Sequence, residues 1–134
     1  MTLDAATHVS DDLRRLWAEA LDALGSTRGG PELLEEVLPR GSDPLGELVG
    51  ERSLYVERRE GAIVGFAIVR GATVIGLYVT PSARGTGVAR EMALALFALR
   101  EPPRDALALP GDRATKSLYE SLGLKARLLT MRAE

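Results

Sequence analysis

A glycine-rich turn between a strand-like and a helix-like segment limits, more than any other feature, the folds that this chain can adopt. Residues 73–79 form a largely β-branched run that Pro81 ends, and residues 88–99 are apolar nearly all round, which is typical of a helix buried on most faces. Gly85 and Gly87 lie between them and lack a Cβ, so the backbone can turn tightly and a ligand can approach closely. A strand–turn–helix unit of this kind aims free N–H groups and the positive end of the helix dipole at one point, which favours a phosphate.

Two arginines flank the turn and could add charge-assisted hydrogen bonds to such an anion, Arg84 and Arg90. The alternative is a tight strand-to-helix connection that binds nothing. The turn lacks the third glycine of a dinucleotide-binding fingerprint and the Gly-Lys-Ser/Thr of a P-loop, so neither of those phosphate sites is predicted.

The remaining segments predict a single α/β domain over residues 1–134. Apolar residues recur at helical spacing before the turn, alternate in three short runs, and return to a strand–helix–strand–helix–strand order after it. We predict helices at 11–25, 32–38, 45–49, 88–99 and 112–122, and strands at 54–57, 62–69, 73–79, around Leu107 and Leu109, and at Leu124 to Met131. Ser10, Asp43 and Asp112 are predicted helix caps. This order gives an α/β (α+β) domain with a mixed sheet flanked by helices.

Composition excludes several kinds of chemistry. The chain of 134 residues has no cysteine, which excludes disulfides, thiol nucleophiles and cysteine-ligated zinc. His8 is the one histidine, so a His-based triad and a multi-His metal site are excluded, and we expect no metal. There is no apolar run of 18 residues and no signal-peptide pattern at the start, so we expect a cytoplasmic protein that does not bind membranes.

The charge is near zero overall but uneven along the chain. The net charge of -2 argues against a dedicated nucleic-acid binder. Residues 1–52 hold 11 acidic and 5 basic side chains, whereas residues 53–134 hold 8 acidic and 12 basic ones. The basic half could meet a small anionic ligand, or it is simply solvated surface. The acidic half favours a cationic partner such as a polyamine or a basic peptide.

Two segments together resemble the GNAT N-acetyltransferase superfamily. The family's Arg/Gln-x-x-Gly-x-Gly/Ala pattern is matched by Arg84, Gly87 and Ala89, at the end of a strand. The family's Leu-Tyr-Glu-x-x-Gly-Phe-like segment is matched by residues 118–124, which read Leu-Tyr-Glu-Ser-Leu-Gly-Leu. The resemblance runs from about Leu54 to Met131 and keeps the family's order of elements. It implies the GNAT fold, a mixed and mostly antiparallel sheet.

The resemblance implies acetyl-CoA as co-substrate, held in a cleft where the central strand bulges and splays from the next one. Val79 would pair with the pantetheine arm, and the Leu77 amide would polarise the thioester carbonyl. Tyr119 would be the general acid for the departing thiolate. Asp112 would face the pantetheine. The pyrophosphate would be bound by the backbone N–H groups of the turn, which come from Gly85, Thr86, Gly87, Val88, Ala89 and Arg90.

The chain departs from the family pattern in two respects: the carboxylate that would act as general base, and the two ends of the domain. Many members carry a carboxylate on the central strand, but residues 73–77 contain none. Glu57 could substitute through water, although a solvated strand face is the alternative interpretation. Met1 to Val9 shows little alternation and only 11 residues follow Gly123, so the domain is expected to be trimmed at both ends. A homodimer would then cover an exposed sheet edge.

The function implied is an N-acetyltransferase that uses acetyl-CoA and a primary amine, carried by a small molecule or a peptide. The alternative is a non-catalytic acyl-CoA-binding module, which the missing carboxylate favours. A third hypothesis, a toxin-like enzyme acting on charged tRNA, is disfavoured by the net charge of -2.

Overall fold

Strands and helices follow one another along residues 3–127, which, with Met131 and Ala133, are the residues that the computed structural model describes. The elements in chain order are β1 (Leu3–Ala5), α1 (Asp11–Gly25), α2 (Gly30–Val37), α3 (Pro44–Gly50), β2 (Leu54–Arg59), β3 (Ala62–Arg70), β4 (Thr73–Val79), a 3-10 turn (Pro81–Ala83), α4 (Val88–Phe97), β5 (Asp105–Ala106) and α5 (Arg113–Ser121).

The five described strands form one mixed sheet in the order β1-β2-β3-β4-β5. Neighbours are antiparallel from β1 to β4, and only β4 and β5 run parallel. Glu60 and Gly61 join β2 to β3 with φ angles of 53° and 82°. A two-residue hairpin loop needs positive φ angles at both residues to match the twist of the strands that it joins. The predicted mixed, mostly antiparallel sheet is thereby confirmed.

Helices cover both faces of this sheet because its central strands alternate two apolar sets. Phe66 and Ile68 of β3 face one cluster with α1 and α3, whereas Ala67 faces the other cluster with α4 and α5. The first cluster contains Leu13 and Leu48, with relative exposures of 1% and 0%, so α1 and α3 are held by burial of aliphatic side chains.

The three helix caps expected from the sequence are present. Ser10, Asp43 and Asp112 each accept a hydrogen bond from the backbone N–H three residues later, at 3.2, 3.1 and 3.0 Å. Each satisfies one of the N–H groups that a helix leaves without an internal partner. These caps fix where α1, α3 and α5 begin.

Three strand predictions need correction. The first residues were expected to contain no strand, but Leu3–Ala5 pair with β2. Three residues are too few for alternation to be visible in a sequence. The strand expected around Leu107 and Leu109 is instead Asp105–Ala106, because the chain leaves β4 after two paired residues. Of the strand expected from Leu124 to Met131, residues 124–127 and Met131 are not strand, and 128–130 lie outside the described residues.

Glu57 is also placed differently from the solvated strand face favoured by the sequence. Its side chain is fully buried, at 0% exposure. Its Oε2 accepts a hydrogen bond from Nε of Arg59 at 2.9 Å, and the same guanidinium contacts Glu91 on α4. The hydrogen bond to Glu91, and then the one to Glu57, raises the pKa of Arg59, so the arginine stays charged. The burial is possible because the ion pair compensates the carboxylate.

Candidate active site

The sheet opens into a cleft where β4 separates from β5. The two strands are paired only at Thr73 and Val74, with one further bond from the Leu107 N–H to the Val74 carbonyl at 2.9 Å. On the other side of β4, the register steps from Val69↔Val74 to Ile68↔Gly76. Ile75 is therefore an extra residue in β4, a β-bulge that bends the strand at the point where it leaves β5.

Beyond the bulge, β4 turns two backbone N–H groups toward the cleft. The Thr80 N–H donates to the Val64 carbonyl at 2.8 Å, which makes Val79 and Gly65 a non-hydrogen-bonded pair. The N–H groups of Val79 and, by alternation, Leu77 point away from β3. They point to the side of β5, but β5 pairs with β4 only at Thr73 and Val74, so no described strand reaches them.

The carbonyl of Val79 also points to this side, but it already has a partner. Nε of Arg84 donates to it at 3.0 Å, and the guanidinium carbon lies 5.4 Å from the centre of the Tyr78 ring. The Arg84 side chain thus covers the end of β4 at the cleft. A ligand that pairs with Val79 finds the N–H free and the carbonyl engaged.

The glycine turn has the geometry predicted from its residues. Gly85 and Gly87 have φ angles of 80° and 84°, in the left-handed region, and a Cβ built on either would meet nothing within 4 Å. Gly87 caps α4 without a side-chain acceptor, so the first N–H groups of α4 have no partner within the helix. Thr86 closes the turn by donating from Oγ1 to the Ala83 carbonyl at 2.6 Å. The turn therefore presents N–H groups to an open space at a helix N-terminus, an arrangement suited to a phosphate.

The splayed strands and the turn enclose one continuous cleft of about 660 Å³. Nine of the residues predicted for the site line it: Leu77, Val79, Arg84, Gly85, Gly87, Val88, Ala89, Arg90 and Asp112. Thr86 and Tyr119 do not line it. Arg90 crosses to α5, where its guanidinium donates to Oγ of Ser121 at 2.9 Å and links the first turn of α4 to the last residue of α5.

Asp112 has a structural task in addition to its place at the cleft. One carboxylate oxygen accepts from the Thr115 N–H at 3.0 Å, and the other accepts from Oγ1 of Thr115 at 2.6 Å. Both interactions belong to the cap of α5. Tyr119 follows four residues after Thr115, on the same face of the helix.

Tyr119 is buried just behind the cleft lining, and its hydroxyl finds no hydrogen-bond partner among the described residues. Burial, with a smaller contribution from the Asp112 carboxylate, raises the pKa of Tyr119 to about 12. The hydroxyl is therefore protonated at neutral pH and can donate. It is a weaker acid than a free tyrosine, whose pKa is about 10.

The sequence interpretation missed the other half of the cleft, which α1, α2 and the opposite sheet face line. Trp17 and Phe66 belong to it, and helical or strand periodicity cannot distinguish such a cavity wall from packed interior. Tyr78 also lines it, and burial raises its pKa. No sequence signal identified these residues as functional.

Within the described residues, no group of three or more His, Cys, Asp or Glu side chains could hold a metal ion. The helices described there include none that is long and apolar enough to cross a membrane.

Comparison with protein families places the chain. The acetyltransferase (GNAT) family matches residues 11–124, most of the sequence. The chain therefore belongs to the acetyltransferase (GNAT) family. The resemblance inferred from the two motifs is confirmed. A search of curated proteins gives no match.

Solved structures share the fold at low sequence identity. A ribosomal-protein-alanine N-acetyltransferase from Brucella melitensis biovar Abortus 2308 is 20% identical, with a TM-score of 0.59 over 92% of this chain and 91% of that one. The aminoglycoside N-acetyltransferase AAC(6')-Iy in complex with CoA is 19% identical, with a TM-score of 0.53 over 92% of each chain. The aminoglycoside 6'-N-acetyltransferase AAC(6')-IG from Acinetobacter haemolyticus is 15% identical, with a TM-score of 0.55 over 100% and 99%.

Proposed function

We propose that this protein transfers the acetyl group of acetyl-CoA to a primary amine by direct attack in a ternary complex. The observation that carries the proposal is the pair of outward N–H groups of Leu77 and Val79, at a splay that faces the glycine turn. Acetyl-CoA is proposed as co-substrate because the candidate phosphate site at Gly87 and the strand edge line the same cleft. A solved member of the same fold carries CoA, which supports this assignment.

In this proposal the chain acts mainly by positioning. The Val79 N–H holds the pantetheine arm as an added strand, while the N–H groups from Gly85 to Arg90 hold the pyrophosphate. The Leu77 N–H donates to the thioester carbonyl oxygen, where negative charge develops as the amine nitrogen attacks. The new C–N bond forms, the C–S bond breaks, and the electron pair leaves with the thiolate.

Tyr119 donates to that thiolate in this proposal only once the bound co-substrate displaces the lining in front of its hydroxyl, because the hydroxyl is buried behind the cleft lining. Its hydroxyl has no partner among the described residues, so a bound sulfur gains a donor without breaking an existing hydrogen bond. A thiol has a pKa of about 8.5, well below the pKa of Tyr119, which burial raises to about 12. Hydrogen bonding to the thiolate therefore precedes, and contributes more than, full proton transfer.

The attacking amine must lose its proton elsewhere. Asp112 is the one carboxylate among the described lining residues, and both its oxygens serve the cap of α5. Glu57 does not line the cleft. We therefore propose that the amine arrives neutral and that its second proton passes to water. An acceptor of lower pKa is then the better substrate at neutral pH.

The test is transfer of isotope-labelled acetyl groups from acetyl-CoA to a mixture of primary amines, followed by mass spectrometry. Labelled product that requires the folded protein supports the proposal. Acetyl-CoA binding without any product supports the alternative, a non-catalytic acyl-CoA-binding module.

We also propose that the protein is cytoplasmic and that a homodimer covers an edge of the sheet, which among the described residues ends at β1 on one side. Sedimentation at tens of micromolar tests the dimer. A single species with the mass of one chain, 14.4 kDa, would contradict it.

A further inference from the structure

The cleft has two chemically different halves, and the half away from the glycine turn is apolar. This apolar half is lined by α1, α2 and the sheet face that they cover, with Trp17, Leu21, Leu34, Val37, Phe66 and Ile68 as its main side chains. Thr27 and the hydroxyl of Tyr78 are the polar side-chain groups among its described lining. The three charged lining residues of the described chain, Arg84, Arg90 and Asp112, belong to the other half.

Three aromatic side chains form a row along this half. The ring centroids of Trp17 and Phe66 are 5.6 Å apart, and those of Phe66 and Tyr78 are 5.9 Å apart. The chain has only six aromatic residues, so half of them line one cleft. Tilted rings at these distances are an arrangement that aromatic pairs favour, and a ligand ring can pack against the row in the same way.

The acidic excess of residues 1–52 does not reach this wall. Glu19 and Asp22, on the exposed side of α1, act on Tyr78 only through space, and neither lines the cleft. A polyamine or a basic peptide would therefore lose hydration in the apolar half without gaining an ion pair there. The sequence-based expectation of a cationic acceptor has no counterpart in the wall that an acceptor would touch.

We infer that the acceptor is a primary amine carried on an aromatic body by a short alkyl chain, an arylalkylamine. The ring packs in the apolar half against the row of Trp17, Phe66 and Tyr78. The amine then projects along β4 toward the Leu77 N–H, where the two halves of the cleft meet. This inference rests on the proposed function for the reaction, but not for the binding of the ring.

The first experiment measures binding directly. Trp17 is the only tryptophan of the chain and lines the apolar half, so its fluorescence reports on this site alone. The protein saturated with CoA is titrated with 2-phenylethylamine, and separately with ethanolamine and spermidine. We expect a saturable change with 2-phenylethylamine at a concentration at least tenfold below that needed for either other amine.

The second experiment measures transfer with the same amines and a peptide that has an N-terminal alanine. The released CoA is detected with a thiol reagent, and the protein adds no background because it has no cysteine. Leu34→Asp places a carboxylate in the wall of the apolar half. The matched control is Leu94→Asp on α4, where the leucine is 47% exposed and outside the lining.

With every rate expressed per concentration of neutral amine, since an α-amino group (pKa about 8) and an alkylamine (pKa about 10) differ in their neutral fraction, we expect kcat/KM to be highest for 2-phenylethylamine. Leu34→Asp should lower it at least tenfold while thermal stabilisation by acetyl-CoA is kept. Leu94→Asp should behave as the unaltered protein. Faster transfer to spermidine or to the peptide would overturn the inference and leave the proposed function intact. If no amine is acetylated, the proposed function fails and the fluorescence decides: a change that Leu34→Asp removes supports an arylalkyl ligand, and no change overturns it.

Discussion

Replacing Tyr119 by phenylalanine should have opposite effects on stability and on catalysis. The hydroxyl is buried, at a residue exposure of 4%, and has no hydrogen-bond partner among the described residues. Leaving a buried polar group unsatisfied costs about 1–3 kcal/mol. Tyr119→Phe removes that cost and keeps the ring, so the free protein should gain about 1 kcal/mol in its free energy of unfolding. For a domain of this size the gain corresponds to a rise of about 3–5 °C in Tm.

Turnover should fall by about 100-fold in the same variant, because the departing thiolate loses its donor. The two measurements are thermal unfolding without ligand and steady-state acetyl transfer. Acetyl-CoA affinity serves as the control and should change little, since the turn at Gly87 is untouched. A variant that is less stable than the unaltered protein, with turnover reduced only as far as the folded fraction, would refute the assignment of Tyr119.

The raised pKa of Tyr119 adds a pH signature to this pair of proteins. The neutral hydroxyl is favoured in the folded state, with a pKa of about 12, whereas the unfolded chain ionises near 10. Ionisation of Tyr119 therefore leaves the free energy of unfolding unchanged below pH 10 and lowers it as the pH rises from 10 to 12. The unaltered protein should lose about 2–3 kcal/mol over that interval relative to Tyr119→Phe. Parallel stability curves for the two proteins would contradict the burial argument.

Two glycine substitutions, each with a control, test the packing of β3 against β4 and the binding role of the glycine turn. Gly65→Ala puts a Cβ 2.8 Å from the Tyr78 carbonyl oxygen, so it should lower the free energy of unfolding by about 1–3 kcal/mol. Gly50→Ala is the control, because a Cβ there meets nothing within 4 Å and should not destabilise the protein. Equal Tm values for the two variants would contradict this prediction. Gly87→Ala should weaken acetyl-CoA binding at least tenfold, as measured by calorimetry. Gly61→Ala is its control. Gly61 has a φ of 82°, against 84° at Gly87, so alanine at either position costs the same backbone strain of about 1–2 kcal/mol. Gly61 lies at the β2–β3 turn, outside the cleft.

The glycine turn and the helix caps could be predicted from the sequence because their chemistry is local. Ser10 and Asp112 satisfy N–H groups three residues away, and Gly85 and Gly87 adopt φ angles that other residues avoid. The family resemblance, which rests on residues around Arg84 and Tyr119, predicted a cleft between the splayed strands and the glycine turn.

Features that depend on distant partners could not be predicted. The burial of Glu57 depends on Arg59 and, through it, on Glu91 of α4, so composition and alternation alone favoured a solvated side chain. A bulge in the central strand was expected from the family resemblance alone, because its position at Ile75 has no marker in that residue type. Trp17 shows the same helical spacing as its packed neighbours, and only the gap opened by α1 and α2 makes it a cleft residue.

Amide hydrogen exchange at β4, followed by NMR with and without acetyl-CoA, tests the central claim most directly. The Leu77 and Val79 N–H groups point to the cleft, whereas the Thr80 N–H is already bonded to β3. The account predicts that acetyl-CoA slows exchange at Leu77 and Val79 by tenfold or more and leaves Thr80 unchanged. Binding of acetyl-CoA, shown by a rise in Tm, without protection of these two amides would contradict it.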